Sequence, residues 1–143
     1  MRSPITLSDL PARVATGLYV LNSGLSKRGA PEEAAQGIHG FATAAYPFLG
    51  GLPPAQFVKN LSRAEIAIGA ALLVPVVPTG LAAGALAGFS AGLVGLYLRA
   101  PGLRKPGSLA WTDQGQAIAK DVFMLGAAGT LLLDVVRRRG EAR

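Results

Sequence analysis

The charged residues of this chain stand at the ends of apolar runs, and that placement limits the available folds more than any single motif does. From Gly80 to Leu98 no side chain is charged, and the run closes on the pair Tyr97 and Arg99. Such a stretch matches the roughly 20 residues a helix needs to cross hydrocarbon, with an aromatic and a cation at the headgroup level. Only 15% of the 143 residues are charged and 50% are hydrophobic, against about 25% charged in an ordinary soluble domain. Nineteen glycines and ten prolines would suit disorder, but a mean hydropathy of +0.39 opposes it, because disordered chains are poor in apolar residues. One membrane-embedded domain over 1–143 is expected.

Composition also removes several chemistries. Without cysteine the chain has no disulfide, thiolate cluster ligand or thiol redox couple of its own. A single histidine, His39, makes a metal site built from this chain alone an unpromising expectation. The net charge of +6 lies at helix ends instead of in a solvated patch, so lipid headgroups are the expected partner and nucleic acid is not. Asp9, Pro11 and Arg13 interrupt the first apolar run, which therefore reads as a retained helix and not a cleaved signal.

Helix signals divide the chain into four spans, about 10–27, 58–78, 80–99 and 115–136, with an amphipathic interfacial segment at about 31–51. The predicted fold is all-α, an integral membrane four-helix bundle with the additional interfacial helix between spans 1 and 2. Pro75 and Pro78 close the second span, and the short connection after them returns the third antiparallel to it. Gly80, Gly84, Gly88 and Gly92 recur every four residues, which predicts a smooth ridge for close helix packing in the bundle or in a homo-oligomer. Arg137, Arg138 and Arg139 after the fourth span predict cytoplasmic N- and C-termini in a bacterial inner membrane.

Four alternating spans bring the end of helices one and three beside the start of two and four. Asn22, Ser23, Lys27, Glu65, Arg99, Lys120 and Asp121 then gather at one mouth. Glu65 is the most informative, because a carboxylate inside LSRAEIAIGAALL demands a cation, supplied by Lys27 or Lys120. Two readings stay open: an ion-pair clasp between helix ends, or a headgroup-depth pocket for a polar ligand or quinone ring. His39 is expected at headgroup level, or as a proton-handling group over a cavity. Asp134 is expected to pair locally with Arg137, and Arg13 to snorkel toward the nearer boundary.

In RVATGLYVLNSGLSK, AEIAIGAALLVP and AKDVFMLGAAGTLLL the chain resembles the DoxX-like family of small four-helix membrane proteins. The resemblance is carried by Arg13, Gly17, Gly24 and Lys27, by Glu65 and Gly69, and by Lys120 with Asp121. It implies a bundle linked to redox membranes, either an accessory or scaffold subunit of an oxidoreductase or redox-stress complex, or a quinone-contacting subunit of a thiosulfate:quinone oxidoreductase-like system. Under this reading the chain is not an enzyme on its own, holds no intrinsic cofactor beyond a contacted quinone, and has oxidoreductase subunits as partners. A small-solute transporter is the third expectation, and the Ala, Gly, Leu and Arg content suits an actinobacterial genome.

Overall fold

The computed structural model describes residues 5–143; the first four residues of the domain expected over 1–143 lie outside the described ones. Among the described residues the chain is all-helical, with no strand. A 3-10 turn, Leu7–Asp9, leads into α1, Leu10–Ser26. Then come α2, Glu32–Ala45, a second 3-10 turn at Pro47–Gly51, α3, Pro54–Leu73, and α4, Thr79–Arg99. A single turn, α5, Gln116–Ala119, precedes α6, Asp121–Glu141.

The long helices pair as α1 with α3 and α4 with α6, and α2 lies against α3 and α4. Close approach in the first pair rests on glycines. A Cβ added at Gly69 would stand 2.6 Å from the Leu21 backbone nitrogen, and one at Gly24 would stand 2.8 Å from that of Ile66. No side chain fits there, so the backbones touch. The expected α4 ridge behaves differently: Gly80 meets only Val135 at 3.5 Å, and Gly84, Gly88 and Gly92 face open space. Helix packing within the chain thus uses the glycines of α1 and α3, while α4 turns Ala82, Ala83 and Leu86 inward.

Two expected boundaries move. The second span was expected to run to 78, but α3 stops at Leu73 and residues 74–78 form a turn, because Pro75 removes a donor and disfavours helix at the residue before it. The fourth is split at Lys120 and continues to Glu141, so Arg137, Arg138 and Arg139 lie within α6. Between α4 and α5 a tight loop is closed by a bridge between Arg104 and Trp111 and by the Tyr97 hydroxyl donating to the Leu109 carbonyl at 2.8 Å.

One apolar core joins Val20, Leu72, Leu86, Met124 and Ala128 in mid-bundle. A second joins Ala42, Leu96, Tyr97 and Leu103 beneath α2. Around them a few charged and hydroxyl groups are buried and several large apolar side chains are exposed. Asp9, Arg13, Ser62, Glu65, Thr79, Ser90 and Asp121 are buried, while Leu18, Leu81, Phe123 (76% exposed) and Leu133 (72%) face outward. One helix among the described residues, α4, is long and apolar enough to cross a membrane by length and composition.

Candidate functional site

The last turn of α1 and the second turn and a half of α3 meet where Gly24 lets them close. Ser62 donates to the Gly24 carbonyl at 2.7 Å, which sets the register between the helices. One turn further along α3, Glu65 faces α1 and is 4% exposed. Lys27 reaches back along its own helix to answer it, with Nζ 2.9 Å from Oε2 and 3.1 Å from Oε1. The same ammonium donates to the Ser23 hydroxyl at 2.7 Å, and that hydroxyl donates to Oε1 at 3.2 Å. With the Ser23 carbonyl also accepting at 3.2 Å, the three N–H groups of Lys27 are engaged. Glu65 Oε2 has the ion pair but no aligned hydrogen-bond donor.

This group forms one wall of a cavity of about 270 Å³ under α2 and α5. Asp121 stands on the same cavity, 6% exposed and, among the described residues, without an ion pair or hydrogen bond for its carboxylate. It sits there because the chain breaks at Lys120 and α6 starts with its first side chain turned inward. The remaining walls are apolar or aromatic, among them Phe41, Phe57, Phe89, Leu93 and Met124, with Tyr19 at the edge.

Of the residues expected at this mouth, the structure brings together Ser23, Lys27, Glu65 and Asp121 and leaves out the others. Asn22 and Lys120 are exposed, and neither lines the cavity. Glu65 therefore takes Lys27, and Asp121 receives no lysine. Arg99 lies over the Tyr46 ring at 5.3 Å, and the Tyr46 hydroxyl donates to the Gly92 carbonyl at 2.8 Å. His39 is also outside the cavity: its Nε2–H donates to the Leu49 carbonyl at 3.0 Å and its ring packs on Phe57.

The opposite end holds a second polar cluster that sequence reasoning undervalued. Arg13 does not snorkel; it is 1% exposed. Its guanidinium donates to the carbonyls of Leu72 (2.8 Å), Ala71 (2.9 Å), Val74 (3.0 Å) and Val77 (3.1 Å) and to the Thr79 hydroxyl (3.1 Å). The five donors of arginine thus serve four carbonyls and one hydroxyl around the end of α3, among them the carbonyl of Ala71, whose helical partner would have been the missing N–H of Pro75. Pro75 and Pro78, one helix-length from the only inward cation of α1, were the available signal.

Thr79 in turn donates to Asp9 Oδ2 at 2.7 Å, and Arg138 contacts both Asp9 oxygens at 3.1 and 3.2 Å. Asp134 makes the expected local pair with Arg137 at 3.0 Å and also binds Arg138 at 3.2 Å. Burial pushes the Asp9 carboxyl up, but the Thr79 hydroxyl, the Thr6 N–H and the Arg138 charge outweigh it and hold the group below its ordinary range. This end is a satisfied structural knot, whereas the cavity end leaves acceptors open. No family model, curated protein or solved structure matches the chain.

Proposed function

We propose that this chain is a DoxX-like integral membrane protein that serves as an accessory or scaffold subunit of a membrane oxidoreductase, and that its cavity binds the head of a quinol. Large apolar side chains on the helix exteriors, together with four charged groups buried between the helices, Asp9, Arg13, Glu65 and Asp121, support the membrane setting. In this reading α1, α3, α4 and α6 cross the bilayer, α2 lies at one interface, and both termini face the cytoplasm of a bacterial inner membrane.

The observation that carries the ligand reading is Asp121, a carboxylate that among the described residues has no hydrogen bond or ion pair, on the polar wall of an otherwise aromatic and aliphatic cavity. A buried acceptor left unmatched costs about 1–3 kcal/mol, so a guest that supplies O–H groups gains more here than one that only accepts. Lys27 has no N–H left to offer, which disfavours the oxidised ring and favours the dihydroxy form. When bound, the quinol would bring two-electron redox capacity that these side chains lack. The chain's own part is to hold the ring among Phe41, Phe57 and Phe89 and to accept a hydroxyl proton in a hydrogen bond at Asp121.

The apolar plug of Val20, Leu72, Leu86 and Ala128 behind the cavity speaks against a conducting path through the bundle. Thermal unfolding of the detergent-purified protein tests the binding reading. A short-chain benzoquinol is expected to raise the Tm, the matching benzoquinone to raise it less, and Asp121→Asn to cancel the difference. Equal or absent shifts with both rings overturn the quinol site. For the subunit role, cross-linking in native membranes is expected to join the chain to a flavin- or iron-containing subunit, and recovery of the uncoupled chain alone overturns it.

A further inference from the structure

A second cavity, of about 560 Å³, lies on the other side of the Lys27–Glu65 pair, between the outer face of α3, the end of α1 and the start of α2. Its rim carries Arg28, Lys59 and Arg63, with Lys59 and Arg63 one helical turn apart on α3. All three are exposed, and among the described residues none of their side chains has an ion pair or a hydrogen bond. Among the described residues no carboxylate lines this cavity. Three unopposed cations within one concavity repel each other unless an anion joins them.

Below the rim the lining changes character. Ile66, Ala67 and Ala70 continue down α3 as a smooth apolar trough. From Arg63 to Ala70 the helix advances by about 10 Å, away from the mouth and toward mid-bundle. A phosphate group alone would use the rim and leave the trough bare. A molecule with a phosphate at one end and a hydrocarbon chain at the other uses both, in the order in which a bilayer presents them.

We propose that this groove is a binding site for an anionic phospholipid, with Arg28, Lys59 and Arg63 around its phosphate and one acyl chain along Ile66, Ala67 and Ala70. The proposal rests on the membrane reading but not on the occupant of the quinol cavity. At about a thirtyfold gain for two cations near a headgroup, the site discriminates acidic from zwitterionic lipid.

Native mass spectrometry of the full chain in detergent, loaded with an equimolar mixture of phosphatidylglycerol and phosphatidylcholine, reads that discrimination directly. The wild type is expected to retain phosphatidylglycerol preferentially, and the double variant Lys59→Gln, Arg63→Gln to lose about thirtyfold of the preference. Arg28→Gln, on the loop after α1, is expected to lose part of it, and Lys105→Gln, in the α4–α5 loop, none. Equal retention of the two lipids by the wild type overturns the groove, as does an unchanged preference in the double variant. Displacement of the lipid by millimolar inorganic phosphate overturns the lipid assignment in favour of a free phosphate. A chain that stays monomeric in water without detergent overturns the membrane reading itself, a result distinct from a detergent-requiring chain that fails to discriminate.

Discussion

Lys27 Nζ stands 2.9 Å from Glu65 Oε2, a contact across 38 residues that ties the end of one helix to the body of its neighbour. The pair is buried on the acid's side and partly open on the lysine's, so it both clasps α1 to α3 and borders the cavity of about 270 Å³. Glu65→Gln keeps the volume and one carbonyl acceptor but leaves the ammonium without a counter-charge. The expected loss is about 3 kcal/mol, read as a lower Tm in detergent. The double change Lys27→Met, Glu65→Leu is expected to restore most of that stability, since a buried pair replaced by apolar groups is often neutral, yet not to restore the response to benzoquinol.

Arg13 makes five hydrogen bonds around the end of α3 and the turn after it. Arg13→Lys keeps the charge but replaces a planar fork by a point donor. At least two of the five acceptors lose this donor, and at about 1–3 kcal/mol for each left unmatched the turn at 74–78 becomes the weakest point of the bundle. Limited proteolysis is expected to cut there in Arg13→Lys and not in the wild type.

Asp9 binds its proton less readily in the folded state than in an unfolded chain, where its ordinary value is 3.8. The unfolded state therefore takes up the proton first as pH falls, and stability declines with it. The contribution is complete above that ordinary value and disappears as pH drops through the lowered folded one. Asp9→Asn is expected to flatten the acid limb of stability as pH falls below the ordinary value of 3.8, measured by denaturant unfolding. An acid limb with the wild-type slope in Asp9→Asn would show that other carboxylates control it.

Gly69 and Gly88 are both helical, and their surroundings predict opposite outcomes. Gly69→Ala drives a methyl against the Leu21 backbone and is expected to cost about 1–3 kcal/mol. Gly88→Ala meets open space and is expected to gain up to about 1 kcal/mol from helix propensity. Comparison of the two Tm values checks this; destabilisation by Gly88→Ala would place a second copy of the chain on the α4 face.

The helical class, the approximate place of the long helices and the inward acid at Glu65 were legible in the order of the residues, because apolar periodicity, prolines and the cost of an isolated carboxylate act locally, whereas the end of α3 and the break at Lys120 were not. Partner choice was not. Lys27 and Lys120 look equivalent along the chain, and only the break at Lys120, which turns that lysine outward and Asp121 inward, separates them. The same holds for the glycines: a regular spacing marks a smooth face, but which smooth face meets a neighbour depends on how α1 and α3 cross. Local chemistry determined which groups need partners, whereas three-dimensional packing decided which of them obtain one, since desolvation acts on a side chain only once its neighbours have closed around it.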